Sequence, residues 1–212
     1  PEKCGKYVLT VVGCGRMGLP TACLFAEAGF KVVCFDVDHY IVNQISSGLS
    51  PFYETGLNRL IKKNLKGEHL TATTSVKEAV PKSDIVVFVV DTPIDEKKRV
   101  DYSHLEEASR DVGLNLRPGT LLIFESTTGP GVMETLVKET LETSSGLRAG
   151  IDFGLSFSPI RASSGRILHD ITNYTRVVSA IDKQSLGAAK AVIKTIVKGQ
   201  ICEVSSMKTA EV

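Results

Sequence analysis

Residues 7–36 constrain the fold more tightly than any other stretch of the chain. Tyr7-Val8-Leu9-Thr10-Val11-Val12 reads as a buried strand, and Gly13-Cys14-Gly15-Arg16-Met17-Gly18 follows without a break. A helical stretch then spans Leu19 to Ala28, and a second strand, Lys31-Val32-Val33-Cys34-Phe35, ends on Asp36. The acid stands 18 residues past the last glycine. A G-x-G-x-x-G between strand and helix, inside one βαβ unit that closes on an acid, is the dinucleotide-binding fingerprint.

Each residue type has a physical reason. Gly13 permits the tight turn out of the strand, and Gly15, without a Cβ, lets a pyrophosphate approach the backbone. Gly18 lets helix and strand pack closely. The helix N-terminus offers unpaired N–H groups and a partial positive charge to the phosphates. Asp36 is expected to accept both adenosine-ribose hydroxyls, a charge-assisted bond of about 1.5–3 kcal/mol. The same carboxylate repels a 2′-phosphate, and no Arg or Lys follows within two residues, which favours NAD over NADP. A glycine turn that binds nothing, or a flavin site on the same fold, would use the same residues.

A chain of 212 residues allows one large domain, or one domain plus part of another, and 42% hydrophobic residues are ample for a core. With 25 basic and 24 acidic residues and no basic block, nucleic acid is not an expected partner. No apolar run approaches the length of a membrane span, and the start lacks the apolar region of a signal peptide. The missing initial Met points to processing or a trimmed chain. Cys4, Cys14, Cys23, Cys34 and Cys202 are odd in number and scattered, as expected for reduced thiols in a cytoplasmic protein. His39, His69, His104 and His169 lack ligand spacing, so no metal site is expected.

Strand-like and helix-like segments alternate through the rest. Helices are expected at 38–46, at 56–64 and, capped by Ser75, up to about Val80; Leu70–Thr73 reads as a short strand. Ile85–Val90 is a continuous apolar run, as for a strand buried on both faces. Further helices are expected at 103–116, 131–143 and 183–197, and further strands at 121–124, 153–157, 176–179 and 200–204, with a loop over 158–175. This order predicts an α/β fold, a Rossmann-like doubly wound parallel sheet with helices on both faces. Residues 1–205 are expected to form that domain. Residues 206–212 read as the start of a helix leading into a further domain, so the chain is expected to be a piece of a longer protein.

Ligands of such a fold bind at the carboxyl ends of the strands. Three polar loops fall there: Val90-Asp91-Thr92-Pro93, Glu125-Ser126-Thr127-Thr128-Gly129-Pro130-Gly131, and Ser158-Pro159-Ile160-Arg161-Ala162-Ser163-Ser164-Gly165. Turn and capping chemistry uses the same residue types. Their clustering beside a cofactor crevice points to a binding site.

Together these residues resemble the nucleotide-sugar dehydrogenases that oxidise UDP-glucose, GDP-mannose or UDP-N-acetylhexosamines. The resemblance covers essentially the whole chain. It rests on the glycine motif extended by Leu19-Pro20, on Phe35-Asp36-Val37-Asp38, on Gly48, Pro51, Glu54 and Gly56-Leu57, and on Ala72-Thr73-Thr74. It also rests on Asp91-Thr92-Pro93, Glu125-Ser126-Thr127, Ser158-Pro159 and Ala210-Glu211. Among subgroups the chain looks most like the UDP-N-acetylmannosamine and UDP-N-acetylglucosamine 6-dehydrogenases. The resemblance implies oxidation of a sugar C6 hydroxyl to a carboxylate with two NAD, on a thiohemiacetal and thioester route whose cysteine, lysine and asparagine lie downstream of Val212. It therefore implies that this piece binds NAD without turning over a UDP-sugar, and that the full-length protein is a homodimer or higher homo-oligomer paired through a helix beyond Val212.

Residue by residue, the resemblance places Gly13, Gly15, Arg16, Met17 and Gly18 at the pyrophosphate, Asp36 at the ribose and Thr92 along the cofactor. It places Thr127 near the nicotinamide and the catalytic water, and Arg161 at the substrate. The chain departs from the family at Ile160, where a glutamate acid/base group is usual and where isoleucine cannot move a proton. It departs also at Asp91, where Pro or Asn is commoner. Two other readings stay open: a β-hydroxyacid or 6-phosphogluconate type of NAD dehydrogenase, and a non-catalytic nucleotide-binding module, which Ile160 favours.

Overall fold

The alternation of apolar side chains within each strand builds two cores from one sheet. The computed structural model describes residues 4–212, so residues 1–3 of the expected 1–205 domain lie outside the described residues. The elements run β1 (Val8–Val12), α1 (Gly18–Glu27), β2 (Lys31–Phe35), α2 (His39–Ser46), α3 (Leu57–Lys66), β3 (Leu70–Thr73) and α4 (Val76–Ala79). Then come β4 (Ile85–Phe88), α5 (Ser103–Gly113), β5 (Leu121–Phe124), a π-helical turn (Met133–Val137), α6 (Lys138–Ser145) and β6 (Gly154–Phe157). The chain continues with α7 (Ile167–Asn173), β7 (Arg176–Ala180), α8 (Lys183–Ile193), β8 (Ile201–Glu203) and α9 (Met207–Ala210).

The sheet order is β3-β2-β1-β4-β5-β6-β7-β8, with its reversal between β1 and β4. Ile85 and Val87 of β4 join Leu9 and Val11 of β1 on the face covered by α1, α3, α7 and α8. Val86 and Phe88 join Val12, Leu122 and Phe124 on the face covered by α5, α6 and α9. Each fully buried Phe or Leu contributes about 1.5–3 kcal/mol. Phe88 and Phe124, opposite one another in the β4–β5 register, stack at 4.0 Å with ring planes 10° apart. The result is the expected doubly wound sheet with helices on both faces.

The pairing departs from a wholly parallel sheet at one place. β6 and β7 pair antiparallel, while β7 and β8 are parallel to each other. The link between β6 and β7 is pinned at the carboxyl edge, because Glu54 accepts hydrogen bonds from Gly165 N and Ile167 N, both at 3.0 Å. α7, only seven residues long, spans about 10 Å and does not carry the chain back across the sheet. β7 therefore starts at the edge where β6 ends.

Other boundaries shift for visible reasons. β4 ends at Phe88: Val89 N still bonds the carbonyl of Val12 at 2.8 Å, but Val90 N donates to Ser126 Oγ at 2.9 Å instead of to a strand. The expected helix at 131–143 opens instead as the π-helical turn, and α7 lies inside the stretch expected to be loop. Ser75 precedes α4 but its side chain makes no capping bond. Residues 206–212 include α9, capped by Ser206 Oγ accepting from Thr209 N at 3.1 Å and packed against β7 and β6. Among the described residues no helix is long and apolar enough to cross a membrane.

Candidate cofactor-binding site

The glycine turn has the shape its residues dictate. Gly13 sits at φ +86°, and a Cβ there would lie 2.6 Å from the carbonyl oxygen of Val89, so a side chain is excluded by conformation and by space. A Cβ on Gly18 would lie 1.8 Å from the carbonyl oxygen of Gly13, which forces α1 and β1 together. Gly15 differs: the nearest heavy atom to a Cβ there is Asp91 Oδ2, at 3.9 Å, so its face is open. α1 begins at Gly18 with Met17 as N-cap, no side-chain cap and no acid in its first turn. Its N-terminus, with the positive end of its dipole, follows directly on Gly13 and Gly15, which line the crevice.

Asp36 is buried at the end of β2. Its Oδ2 accepts from Cys14 N at 2.7 Å and its Oδ1 from Asp38 N at 3.0 Å. The carboxylate thus ties β2 to the glycine turn, and with about four acceptor positions it keeps two for further donors. Beneath it, a hydrogen bond with Cys34 and burial push the Cys14 thiol well above its ordinary range. Burial does the same to Cys23. Both are inert small side chains of the core.

A crevice of about 360 Å³ opens at the switch between β1 and β4, lined by Gly13, Gly15, Asp36, Asp91, Glu107 and Asp111 among others. Its lining mixes apolar side chains (Val12, Phe35, Ile41, Val89) with acidic ones, as a site for a nucleotide with an apolar base and polar sugar can. The sequence pointed to Gly13, Gly15 and Asp36, which the fold brings together here. It did not single out His104, Glu107 and Asp111, whose spacing along α5 puts them on one face toward the crevice; that spacing was the available signal. Arg16 is exposed, with its guanidinium 5.9 Å from the centre of the Phe52 ring.

The loops beyond β4 and β5 are stitched to each other. Thr92 Oγ1 donates to the carbonyl of Thr127 at 2.8 Å, and Val90 N to Ser126 Oγ at 2.9 Å. Thr127 is exposed and Thr92 half-buried. The third loop joins the second through Ile160 N and the carbonyl of Glu125, at 3.3 Å. Ile160 packs against the apolar core, and Arg161 is exposed on the same loop. Among the described residues no hydrogen bond joins Arg161 to Thr92 or Thr127.

Under these loops lies an ion pair that the sequence did not announce. Arg176 Nη2 donates to Glu125 Oε1 at 2.5 Å and to the carbonyl of Ser158 at 3.0 Å, and Nε to Ser158 Oγ at 3.3 Å. The two side chains are 2% and 0% exposed, so they join the ends of β5, β6 and β7 out of water's reach. Burial pushes the Glu125 carboxyl up, and Arg176 beside it pulls it only part of the way back. Glu125 Oε2 and Arg176 Nη1 have no hydrogen-bond partner among the described residues. A lone arginine opening the apolar run Arg176-Val177-Val178 was the only local hint. No cluster of three or more His, Cys, Asp or Glu able to hold a metal ion occurs among the described residues.

Comparison with known proteins agrees with this fold. The UDP-N-acetyl-D-mannosamine dehydrogenase of Pyrococcus horikoshii is 33% identical over 193 residues, which cover 91% of this chain and 46% of that protein. The NDP-N-acetyl-D-galactosaminuronic acid dehydrogenase of Methanosarcina mazei superposes with a TM-score of 0.92 at 34% identity, covering 99% of this chain and 47% of that one. A ternary complex of GDP-mannose dehydrogenase from Pseudomonas aeruginosa superposes at 0.91 with 26% identity, covering 96% and 47%. The chain spans about half the length of the curated relatives it matches. The profile described as UDP-glucose/GDP-mannose dehydrogenase family, NAD binding domain, matches residues 7–197, and the chain belongs to that family.

Proposed function

We propose that the crevice between β1 and β4 holds NAD, and that the chain is the cofactor-binding part of a nucleotide-sugar 6-dehydrogenase whose substrate is a UDP-N-acetylhexosamine. The observation that carries the cofactor assignment is the conjunction at one switch point of an open-faced Gly15, an uncapped helix N-terminus and a buried Asp36 with free acceptor capacity. NAD, when bound, would accept the hydride from the C6 carbon of the sugar alcohol while the hydroxyl proton leaves to a base. The backbone around Gly15, Arg16 and Met17 receives the pyrophosphate, with Gly13 and Gly18 holding the turn, and Asp36 takes the adenosine-ribose hydroxyls. Thr92 and Thr127, stitched together, line the nicotinamide end, and the Thr127 hydroxyl orients water there. Arg161, exposed on the third loop, meets the anionic part of the substrate.

The substrate class is supported by two relatives, named UDP-N-acetyl-D-mannosamine dehydrogenase and UDP-N-acetyl-D-glucosamine 6-dehydrogenase. Ile160 supplies no proton-transfer group, so proton transfer in the full-length enzyme falls to Thr127 with water or to residues beyond this chain. By itself the 212-residue chain binds NAD and produces no NADH from UDP-sugars. Calorimetry with NAD and NADP on the wild type and on Asp36→Ala tests the assignment. NAD binds the wild type more tightly than NADP, and Asp36→Ala weakens NAD about ten- to a hundredfold. Equal affinity in all four combinations overturns the assignment.

A further inference from the structure

We propose that Asp91 tunes the affinity of the crevice for a pyrophosphate: its carboxylate stands where the pyrophosphate passes, holds cofactor affinity down, and makes that affinity rise with ionic strength. The inference rests on reading the crevice as the cofactor site. Its first ground is position. Asp91 Oδ2 is the nearest heavy atom to the open face of Gly15, 3.9 Å from where a Cβ would be, and that face is where backbone and phosphate come closest. The second ground is rigidity. Both neighbours of Asp91 are tied down, Val90 through its N–H to Ser126 Oγ and Thr92 through its hydroxyl to the carbonyl of Thr127, so the carboxylate has little backbone freedom to swing aside.

The third ground is charge balance. Asp36, Asp91, His104, Glu107 and Asp111 all line the crevice, and no Lys or Arg among the described residues does. Arg16, the nearest cation in sequence, is placed over the Phe52 ring. Asp36 accepts two backbone N–H groups, which offset its charge. Asp91 is exposed and accepts no hydrogen bond among the described residues, so no protein donor offsets its charge and only water and salt screen it from the pyrophosphate. Phosphate sites ordinarily weaken as salt screens attraction; here salt screens a repulsion, and the sign is reversed.

Calorimetry on the 212-residue chain, as wild type and Asp91→Asn, with NAD, ADP-ribose and adenosine at about 20 and about 500 mM NaCl, tests this. At low salt Asp91→Asn tightens NAD and ADP-ribose about three- to tenfold and leaves adenosine, which has no phosphate, unchanged. At high salt the gap between wild type and variant closes. Equal NAD affinity at low salt overturns the inference, as does weaker binding by the variant, which marks Asp91 as an acceptor for a ribose hydroxyl. An equal gain for adenosine overturns it too, because the variant has then reshaped the pocket. If neither variant binds NAD or ADP-ribose, the cofactor assignment falls and this inference with it; if both bind alike, only this inference falls.

Discussion

At the scale of single residues, the sharpest constraints are places where an atom has no room or a charge has one partner. Gly18 has no room: a methyl group there would press on the Gly13 carbonyl at 1.8 Å. Gly18→Ala is expected to cost about 1–3 kcal/mol in chemical denaturation and to lower NAD affinity in the same protein, because the turn must open to admit it. Glu125 and Arg176 have one strong partner each. Glu125→Ala leaves a guanidinium buried and unpaired, and a loss of about 3–5 kcal/mol is expected. A double replacement, Glu125→Leu with Arg176→Met, is expected to cost less than either single truncation, since it removes both charges together. Urea denaturation of the wild type, Glu125→Leu, Arg176→Met and the double variant as a mutant cycle measures this. The glycines and Asp36 were legible in the sequence because their chemistry is local to one turn. Arg176 was not, because its partner lies 51 residues away and only the sheet brings them together.

At the scale of elements, local signals fixed helix starts better than helix ends. Asp182 caps α8 by accepting from Gln184 N at 2.7 Å and Ser185 N at 2.9 Å. Burial alone would raise the Asp182 carboxyl, but the hydrogen bonds from Ser185 and Gln184 outweigh it and hold it below its ordinary value. A carboxyl lowered on folding stabilises the fold above its unfolded value near 3.8, and that stabilisation is lost as pH falls through the folded value. Asp182→Asn is therefore expected to lower the melting temperature at neutral pH and to converge with the wild type as pH falls below 3.8 through the lowered folded value; a thermal scan across pH checks it. Truncation to alanine is expected to cost about 1 kcal/mol. The end of α8 was read too far, to Val197: the helix stops at Ile193, where Thr195 N and Ile196 N tighten to the carbonyls of Val192 and Ile193 at 3.0 and 3.1 Å and the Thr195 hydroxyl also takes the Val192 carbonyl. The π-helical turn was missed for a similar reason. Glu211 accepts from Gly131 N at 2.6 Å, from Met133 N at 2.9 Å and from the Thr128 hydroxyl at 3.0 Å, so a residue some 80 positions on shapes that helix start.

At the scale of the whole molecule, the thiols report on the core. Cys14, Cys23 and Cys34 are buried, and Cys202 is exposed. An aromatic disulfide reagent is expected to modify Cys202 quickly and the three buried thiols only after global unfolding. The raised thiols of Cys14 and Cys23 add a pH dependence. A thiol raised on folding contributes stability that is fully present below its unfolded value near 9 and lost as pH climbs toward the folded value. The melting temperature is expected to fall above about pH 9, and Cys23→Ala to flatten that fall.

What the sequence determined by itself was whatever depends on neighbours along the chain: the βαβ unit with its glycine turn, the periodicities that placed strands at 31–35, 70–73 and 121–124, and the residue types of the three edge loops. What only the tertiary structure decided was whatever depends on residues far apart becoming close. That includes the antiparallel turn into β7, the helix at 167–173 held by a carboxylate from residue 54, the buried Glu125–Arg176 pair, and the acidic wall facing Gly15. Backbone propensity and turn chemistry act over a few residues. Burial and charge pairing act through space, and their partners become known only once the sheet has assembled.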